Sequence, residues 1–322
     1  GPGGYVAAIR LAQLGKSVAI VEKQKTLGGT CLNWGCIPSK ALLDSSEHYH
    51  QAIHKFETHG IEVKNIKLNL KQMMKRKDDV VKTTTQGIAY LMKKNKIETL
   101  HGHATFISDT TISVSQDKSK TNYEAEKFII ATGSSVTELP SVPVDKKRII
   151  TSDEAISLNE VPKHFIVIGG GVIGVELGSV YARLGSKVTI IEYMDRLIPT
   201  MDKDLGKTLQ RSFKSLDVNF EFNTMVTGAK VTKNQVTLNA KTKDGKEKTF
   251  TGDYVLVSIG RRPNTENLGL KNLGIELTER GQIPVNDHFQ TKVPSIYAIG
   301  DVIRGQMLAH KASEEGVVCA EI

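Results

Sequence analysis

The sequence predicts an α/β protein with two similar strand–turn–helix–strand repeats, the second inserted within the domain to which the first belongs. Three observations predict this fold. First, the pattern of the segment at 165–192 predicts a strand, a glycine-rich turn, a helix and a second strand that ends in an acid. Second, residues 1–22 match this segment. Third, apolar strands that end at a glycine follow each repeat. A length of 322 residues also suits two domains, at roughly 150 residues per domain.

The second repeat, FIVIGGGVIGVELGSVYARLGSKVTIIE, is the more complete one. Gly169, Gly171 and Gly174 supply a GxGxxG turn, which permits a tight bend and lets a pyrophosphate approach the N-terminus of the following helix. Glu192 closes the second strand, where its carboxylate can accept hydrogen bonds from ribose hydroxyls. Because strand, helix and acid accompany the glycines at the expected spacing, we predict a Rossmann-like dinucleotide-binding unit here.

The first repeat, GPGGYVAAIRLAQLGKSVAIVE, aligns with the second after a shift of 170 residues, so that Gly171, Gly174 and Glu192 fall on Gly1, Gly4 and Glu22. The second repeat has a strand and one more glycine ahead of the aligned part. The chain therefore starts at what would be the second glycine of the first repeat. We expect the N-terminus to be truncated, without the first strand of a sheet and one turn glycine.

Three apolar strands that close on glycine follow the repeats, at 123–133, 250–260 and 293–301. Each is expected to end beside a bound dinucleotide, at the carboxyl edge of its sheet. The intervening segments predict helices from Pro38 to about Lys94, followed by a strand-rich stretch that ends near residue 133.

Proline-rich and basic segments mark where the chain passes between the two domains. Pro140, Pro143 and the following KKR mark the first passage, and GRRPN at 260–264 marks the return. We therefore predict one dinucleotide-binding domain formed by residues 1–135 and 263–322, with a second inserted at 136–262.

The stretch GGTCLNWGCIPSK at 28–40 places two cysteines close together. Cys31 and Cys36 are five apart, which in an unbroken helix exceeds the Cα span of about 7 Å that a disulfide allows, so Cys31 is expected outside the helix. Pro38 suits the first turn of that helix, and Lys40 lies one turn after Cys36; both features favour a Cys36 thiolate. We predict an easily reduced disulfide, in preference to two buried thiols or a zinc site, for which four suitable ligands are missing.

Composition restricts the class of protein further. The chain is 39% hydrophobic and 24% charged, has no apolar run long enough to span a membrane and opens with no charged-then-apolar leader. Its formal charge of +8 comes from scattered lysines, and the dense segment at 71–77 is interpreted as a solvated helix face. These features predict no nucleic-acid or membrane partner, and a location in the bacterial cytoplasm or, in a eukaryote, the mitochondrial matrix.

The motifs together resemble one family along essentially the whole chain. The cysteine stretch is similar to the active-site stretch of the flavoprotein disulfide reductases, the class I pyridine nucleotide-disulfide oxidoreductases. The resemblance continues through ATGS, GGGVIGVELG, SIGRRPN, YAIGDV and MLAHKASEEG. It implies that FAD lies on the first Rossmann-like unit and NAD on the second, and that electrons pass from a dithiol through the disulfide and the flavin to NAD.

The resemblance also implies roles for individual residues. Cys36 would meet the flavin, Cys31 would exchange with the substrate, and Lys40 would pair with Glu176 beside the flavin ring. The residues implied to hold FAD are Gly1, Gly4, Glu22, Gly28, Gly29, Thr30, Cys31, Lys40, Ala104, Thr132, Gly133, Ser134, Asp301 and Ala309. Those implied to hold NAD are Gly169, Gly170, Gly171, Val172, Ile173, Glu192, Val226, Ser258, Ile259, Gly260 and Arg261.

The substrate and partners are also implied by resemblance. The LN…GCIPSK version of the motif is most similar to family members that oxidise dihydrolipoamide, carried on an acyltransferase of a 2-oxo acid dehydrogenase complex or of the glycine cleavage system. The full-length protein would be a homodimer. Glu192 would repel a 2′-phosphate, which favours NAD over NADP and counts against glutathione reductase. Mercuric reductase stays open, because its distinguishing cysteines lie at termini outside this chain, and so does an inactive module that binds FAD and NAD.

Family members continue into a C-terminal dimerisation domain whose histidine and glutamate act as acid and base toward the substrate. We expect this chain to lack that domain and therefore the substrate acid and base. His310 and Glu314 are four residues apart and could form a base and its orienting acid, but the resemblance places them on a helix under the flavin, so they are interpreted as structural.

Two further groups are given structural interpretations. His50 and His54 lie one turn apart, but no carboxylate or thiolate completes a metal site, so a solvated histidine helix is preferred and no metal is predicted. Cys319 lies in the apolar segment GVVCA and is predicted to be a core residue.

Overall fold

The computed structural model describes residues 1–322 and contains eight α-helices, seventeen β-strands and four short 3₁₀ helices. The helices are α1 (Pro2–Gln13), α2 (Gly29–Asn33), α3 (Cys36–His54), α4 (Leu70–Lys94), α5 (Ser152–Ala155), α6 (Val172–Arg183), α7 (Lys203–Ser212) and α8 (Ala309–Glu321). The strands are β1 (Ala19–Glu22), β2 (Glu98–His101), β3 (His103–Phe106), β4 (Thr111–Gln116), β5 (Ser119–Glu124), β6 (Phe128–Ile130), β7 (Ser134–Val136), β8 (Ile149–Ile150), β9 (His164–Ile168), β10 (Lys187–Ile191), β11 (Val218–Glu221), β12 (Thr224–Val231), β13 (Val236–Thr242), β14 (Glu247–Gly252), β15 (Tyr254–Val257), β16 (Arg261–Pro263) and β17 (Ile296–Ala298).

The chain divides into two compact units. The first unit contains Gly1–Cys36, Val81–Ser135 and Arg261–Ile322, and the second contains Ile37–Val80 and Val136–Gly260. Residues 37–80 therefore belong to the second unit, whereas the sequence analysis placed them in the first domain. The second unit is interrupted in sequence by part of the first. The assignment of one cofactor to each domain stays a prediction.

The second unit is built on a five-stranded parallel sheet in the order β11-β10-β9-β15-β8. Strand β9, helix α6 and strand β10 follow one another, and β9 pairs in parallel with β10. This is the strand–turn–helix–strand arrangement that the second repeat predicts. Residues 165–168 of β9 are almost fully buried, and on one face of the strand Ile166 and Ile168 pack with side chains of the β12-β13-β14 antiparallel sheet in one apolar core.

The first unit contains two separate parallel pairs, β1 with β2 and β6 with β17, and an antiparallel sheet in the order β3-β4-β5. Helices α1 and α8 pack closely together: a Cβ at Gly316 would lie 2.8 Å from the Gly3 carbonyl oxygen. Cys319 on α8 is 7% exposed within an apolar cluster with Ala7 and Ile299, which confirms it as a core residue. No helix of the chain combines the length and the apolar character needed to cross a membrane.

Two interpretations of surface helices are wrong in part. Lys77, within the segment read as solvated, is 4% exposed, and its ammonium donates to the Ser157 hydroxyl at 2.9 Å and pairs with Asp78 at 2.7 Å. His50 is also buried, at 7% exposure, because α3 turns that face inward, whereas the neighbouring His54 is exposed. The two rings lie 4.6 Å apart, and no group of metal-ligating side chains surrounds them.

Candidate functional site

The cysteine loop joins two helices of unequal length. Cys31 lies in the short helix α2, and Cys36 is the first residue of the 19-residue helix α3, so Cys31 lies outside the helix that Cys36 begins. Both cysteines are half-buried. Pro38 occupies the first turn of α3, where its missing N–H costs no hydrogen bond. The thiol of Cys36 is therefore at the positive end of a long helix dipole, which favours a thiolate.

The backbone before the cysteines requires glycine. Gly28 and Gly29 have φ angles of 110° and 58°, in the left-handed region that other residues rarely adopt. A Cβ at Gly29 would also collide with the Cα of Gly1. The loop therefore approaches the start of α1, the predicted place of the FAD pyrophosphate, at backbone contact distance.

Asn33 holds this loop in shape, although nothing in the sequence predicted it. Its amide donates to the carbonyl oxygens of Leu27 and Gly29, at 3.2 and 2.9 Å, and its side-chain oxygen accepts from the Thr26 hydroxyl at 2.6 Å. These bonds connect the segment before the glycines to the end of α2. The position of Cys31 therefore depends on a side chain two residues further along the chain.

Tyr5 on α1 lies near the cysteine pair. Burial raises the pKa of the Tyr5 hydroxyl, and negative charge at Cys31 and Cys36 raises it further. The phenol stays neutral at physiological pH and can donate a hydrogen bond. The sequence around Tyr5 gives no signal of this placement, because a position on a helix does not reveal which residues lie opposite it.

A polar network in the first unit connects residues predicted to hold FAD. The Ser134 hydroxyl donates to the Asp301 carboxylate at 2.5 Å. The Arg261 guanidinium donates to the side chain and backbone oxygens of Ser134, at 2.8 and 2.6 Å, and to the Thr30 hydroxyl at 3.3 Å. Arg261, which the sequence analysis grouped with the NAD residues, therefore lies among the residues predicted for the flavin.

The turn after β6 is fixed by Asn264. Its amide donates to the Thr132 carbonyl at 3.1 Å, its backbone N–H donates to the Gly133 carbonyl at 2.8 Å, and its own carbonyl accepts from the Thr132 hydroxyl at 2.6 Å. Gly133 has a φ of 71°, which the turn requires. Three predicted FAD residues, Thr132, Gly133 and Ser134, are thereby held in one rigid turn.

The end of β17 is held by α8. Glu315 accepts from the Gly300 N–H at 2.8 Å, and its other oxygen lies 2.6 Å from the Lys311 ammonium. Asp301 follows directly, and Ala309 is the first residue of α8. His310 and Glu314 are exposed on the same helix, so they do not support the core.

The glycines of the second repeat have different surroundings. A Cβ at Gly174 would collide with the Gly169 carbonyl and lie 2.7 Å from the Ser258 hydroxyl, so this position packs helix against strand. A Cβ at Gly171 would meet nothing within 4 Å, and Gly171 caps the N-terminus of α6. The space in front of α6 is therefore open, as a dinucleotide pyrophosphate requires.

Glu192 lies at the carboxyl end of β10 and is 7% exposed. Its carboxylate accepts from the Gly170 N–H at 2.6 Å and from the Met194 N–H at 2.7 Å. Its counterpart in the first unit, Glu22, accepts from the Gln24 N–H at 2.9 Å. The acid therefore holds the glycine turn and its own strand end together, and each carboxylate oxygen retains a lone pair for a ribose hydroxyl.

The ion pair predicted between Lys40 and Glu176 is present in the second unit. The Lys40 ammonium lies 2.7 and 2.9 Å from the two carboxylate oxygens of Glu176. Lys40 is on α3, one helical turn after Cys36, and Glu176 is on α6, within two turns of the glycine-rich turn. The pair therefore connects the helix that begins at Cys36 to the helix whose N-terminus is predicted to bind a dinucleotide.

The remaining predicted residues occupy less informative positions. Val172 and Ile173 form the first turn of α6, and Ser258, whose hydroxyl donates to the Ile168 carbonyl at 3.0 Å, leads into Ile259 and Gly260 after β15. Val226 is a buried member of the core of the second unit, so it has only backbone atoms to offer a ligand. Ala104 lies on β3 of the first unit.

The fold and these sites define an α/β protein with two Rossmann-like regions and a cysteine pair at a helix start. A family model described as pyridine nucleotide-disulphide oxidoreductase matches residues 1–316, and the chain belongs to that family. The cofactors of this family are FAD and NAD. The open space before α6, and the glycines and acid of the first unit, fit such dinucleotides.

Individual relatives agree with this family. The chain is 48% identical over 323 residues to mitochondrial dihydrolipoyl dehydrogenase of Pisum sativum and 49% identical over 324 residues to that of Caenorhabditis elegans, and it is 47% identical to leghemoglobin reductase of Glycine max. The matches include all of this chain but only 64%, 65% and 62% of those proteins. The resemblance to dihydrolipoamide dehydrogenase is therefore confirmed.

Solved structures show the same fold. LpdA from Mycobacterium tuberculosis superposes with a TM-score of 0.91 at 28% identity, over 99% of this chain and 70% of that one. A copper(II) complex of the flavoprotein disulfide reductase RclA from Escherichia coli superposes with a TM-score of 0.86 at 27% identity, over 100% of this chain and 68% of that one. The predicted fold class is confirmed.

Proposed function

We propose that the full-length protein is an NAD-dependent dihydrolipoamide dehydrogenase, in which Cys31 and Cys36 form the redox-active disulfide. The observation that carries this proposal is the placement of Cys36 at the start of a 19-residue helix, with Cys31 in the short helix just before it. A loop of this length with one stabilised thiolate forms a disulfide that is easily reduced and re-formed.

The cysteines exchange with the dithiol in two steps. A thiolate of dihydrolipoamide attacks the sulfur of Cys31, which breaks the bond to Cys36 and releases Cys36 as a thiolate. The second thiolate of the substrate then attacks its own sulfur in the mixed disulfide, which closes the oxidised ring and releases Cys31. Two electrons have passed to the cysteine pair, and two protons are left to solvent or to a base.

Bound FAD would carry the two electrons from the dithiol to NAD⁺, which takes up a hydride. Gly1, Gly29 and Glu22 would hold the flavin dinucleotide, with the Ser134–Asp301 pair nearby in the first unit. The N-terminus of α6 and Glu192 would hold NAD. Both acids favour an unphosphorylated ribose, because a 2′-phosphate would meet a carboxylate.

Lys40 stabilises the charge that this exchange creates. Its ammonium lies on the face of α3 that Cys36 occupies, one turn away, and so favours the thiolate that leaves the disulfide. Glu176 holds the ammonium by both carboxylate oxygens, although the Lys40 side chain is 58% exposed. Both residues are assigned to the catalytic machinery on this ground.

The relatives support the proposed partners and location. The substrate would be dihydrolipoamide carried on an acyltransferase of a 2-oxo acid dehydrogenase complex or of the glycine cleavage system, and the full-length protein would be a homodimer. The pea and nematode relatives are named as mitochondrial, which supports the matrix in a eukaryotic source. The bacterial cytoplasm is the corresponding location in a prokaryote.

The acid and base that act on the dithiol are proposed to lie outside residues 1–322. His310 is exposed on α8, as is Glu314. A histidine and acid pair that the sequence analysis overlooked, His48 with Asp44 at 3.5 Å, also has exposed side chains, at 76% and 51%. A base that lowers the barrier for a bound thiol needs to lie within hydrogen-bond reach of it, and neither pair lies in an enclosed position.

Single cysteine variants of the full-length holoenzyme test the assignment. A thiolate that faces oxidised flavin gives a long-wavelength charge-transfer band, so Cys31→Ser should retain this band and Cys36→Ser should lose it. Both variants should lose NAD reduction by dihydrolipoamide, and the wild type should not accept glutathione or mercuric ion in its place. Retention of the band in Cys36→Ser and its loss in Cys31→Ser would reverse the two roles.

A further inference from the structure

Two ion pairs, not one, join helices α3 and α6 in the second unit. Besides Lys40 with Glu176, the Arg183 guanidinium lies 3.0 Å from the Glu47 carboxylate. Glu47 follows Lys40 by seven residues on α3, and Arg183 follows Glu176 by seven on α6. Seven residues are about two helical turns, or about 10 Å, so both pairs lie on the same face of each helix.

The second pair is the better enclosed of the two. The side chains of Arg183 and Glu47 are 21% and 33% exposed, whereas those of Lys40 and Glu176 are 58% and 26% exposed. One oxygen of Glu47 accepts from the Gln51 amide at 2.8 Å and lies 3.9 Å from the Lys55 ammonium, and the other faces Arg183. The carboxylate is therefore held on both sides.

These contacts lower the pKa of Glu47. Its hydrogen bond from Gln51 is the largest cause, while burial acts in the opposite direction and the positive charges of Arg183 and Lys55 lower the pKa further. Glu47 is therefore ionised throughout the physiological range. The pair with Arg183 stays intact where the protein works.

One exposed ion pair is a weak constraint on a helix, because solvent screens it and a long lysine side chain adapts to many positions. Two pairs about 10 Å apart fix both the rotation of α3 and its position along α6. Their polarity also alternates: lysine then glutamate on α3 face glutamate then arginine on α6. A slip of two turns would place Lys40 opposite Arg183, which like-charge repulsion disfavours.

We propose that Glu47 and Arg183 are positioning residues, which hold α3 in the register that keeps the Lys40–Glu176 pair beside the first turn of α3. The proposal rests on the proposed function, since it gives the register of α3 a role in stabilising the Cys36 thiolate. Arg76 of α4 supports the same helix from another side, through bonds to the Ala41 carbonyl at 3.1 Å and the Asp44 carboxylate at 2.7 Å.

The test measures the reactivity of Cys36 in full-length holoenzyme that carries Cys31→Ser, so that one thiol remains in the loop. The rate of alkylation by iodoacetamide is followed against pH by mass spectrometry of the Cys36 peptide. Lys40→Met serves as the reference variant. Its rate of Cys36 alkylation at neutral pH should fall about 10-fold if the thiol pKa rises by about one unit. Arg183→Gln and Glu47→Gln should each give about a 3-fold fall, with the pH midpoint displaced in the same direction.

A charge exchange and a matched control complete the experiment. The double variant Glu47→Arg with Arg183→Glu should recover alkylation to within about 1.5-fold of the parent, because the pair is re-formed with reversed polarity. Arg148→Gln removes a half-buried pair with Glu160 elsewhere in the second unit and should leave the alkylation profile unchanged.

The possible results distinguish the positioning role of Glu47 and Arg183 from the proposed function of Lys40. If the alkylation rate falls in both single variants and the charge exchange restores it, the positioning role is supported. If one single variant does not fold, the other single variant and the double variant provide the same comparison. Parent-like profiles in Glu47→Gln and Arg183→Gln, alongside a slowed Lys40→Met, overturn the positioning role and leave the proposed function standing. An unchanged profile in Lys40→Met contradicts the proposed function of Lys40 and removes the basis of the inference.

Discussion

At the scale of single residues, the acid that ends the second repeat has a structural role as well as its predicted role in binding. Glu192 was predicted from its position after β10 to bind a ribose, and the structure adds that its carboxylate accepts two backbone N–H groups, from Gly170 and Met194. Gly170 is itself buried. The residue that would select the cofactor therefore also holds the turn on which the cofactor would rest.

Replacement of Glu192 by alanine should therefore affect stability as well as cofactor binding. The two N–H groups lose their acceptor, and an unsatisfied buried donor costs about 1–3 kcal/mol, so the free energy of unfolding in urea should fall by about that amount. NADH affinity should also fall. Asp195→Ala, which removes an exposed acid three residues later, should change neither, and equal stability of the two variants would show that the Glu192 bonds do not support the turn.

A second prediction at this scale concerns His50. Its pKa is lowered by burial first and by the neighbouring positive groups His54, Lys55 and Arg183, with Glu47 acting in the opposite direction. The unfolded chain therefore takes up a proton at higher pH than the folded one. Stability is complete above the ordinary histidine pKa of about 6.5 and is lost as the pH falls from there toward the lowered value.

Denaturant unfolding at several pH values tests this prediction. The free energy of unfolding of the wild type should decrease below about pH 6.5, and His50→Gln should show a shallower decrease, because one of the contributing groups is absent. His288→Gln, in which an exposed histidine is replaced, serves as the control and should keep the wild-type slope. A slope in His50→Gln identical to that of the control would contradict the assignment.

At the scale of elements, the glycines of the second repeat divide into two kinds. Gly174 is in contact with Gly169 and Ser258, so an added methyl group should destabilise the fold by about 1–3 kcal/mol. Gly171 faces open space and has a φ of −73°, which alanine adopts freely, so Gly171→Ala should unfold within about 0.5 kcal/mol of the wild type.

Cofactor binding should follow a different order. The methyl group of Gly171→Ala projects into the space before α6, where the pyrophosphate would lie, so NADH should bind about 10-fold more weakly, equivalent to about 1.4 kcal/mol. Calorimetry of NADH binding and urea unfolding of both variants separate the two effects. Unimpaired NADH binding by Gly171→Ala would show that the dinucleotide does not approach α6 at this residue.

The elements that sequence predicted well are those with a local signature. Helix α6 and strands β9 and β10 follow from glycine spacing and apolar runs within one continuous segment. The bonds of Arg261 to Thr30 and Ser134, and the pair of Glu47 with Arg183, join residues more than a hundred positions apart. No periodicity records such contacts, because they depend on how elements pack.

Burial was misjudged for a similar reason. Lys77 and His50 lie in segments whose composition is polar, and composition predicts exposure on average. Both side chains are nevertheless buried, and the Lys77 ammonium is compensated by Ser157 and Asp78. The orientation of one helix face could not be derived from the number of charges on the helix.

At the scale of the whole molecule, the proposed activity depends on groups from both compact units. The cysteines belong to the first unit, while Lys40, Glu176 and the α6 turn belong to the second, and the chain passes from the first to the second between Cys36 and Ile37. Helix α3 therefore begins with a residue of the first unit and continues with residues of the second.

The central claim is that the Cys31–Cys36 pair transfers electrons from the dithiol to NAD. The most direct measurement labels the thiols of anaerobic full-length holoenzyme with iodoacetamide under denaturing quench, and counts the labels on the peptide that contains both cysteines by mass spectrometry. We predict no label on the oxidised enzyme, two after dihydrolipoamide alone, and none again after excess NAD⁺ is added, with one NADH formed per pair re-oxidised. Two labels in the untreated enzyme, or labels that persist after NADH has formed, would contradict the account.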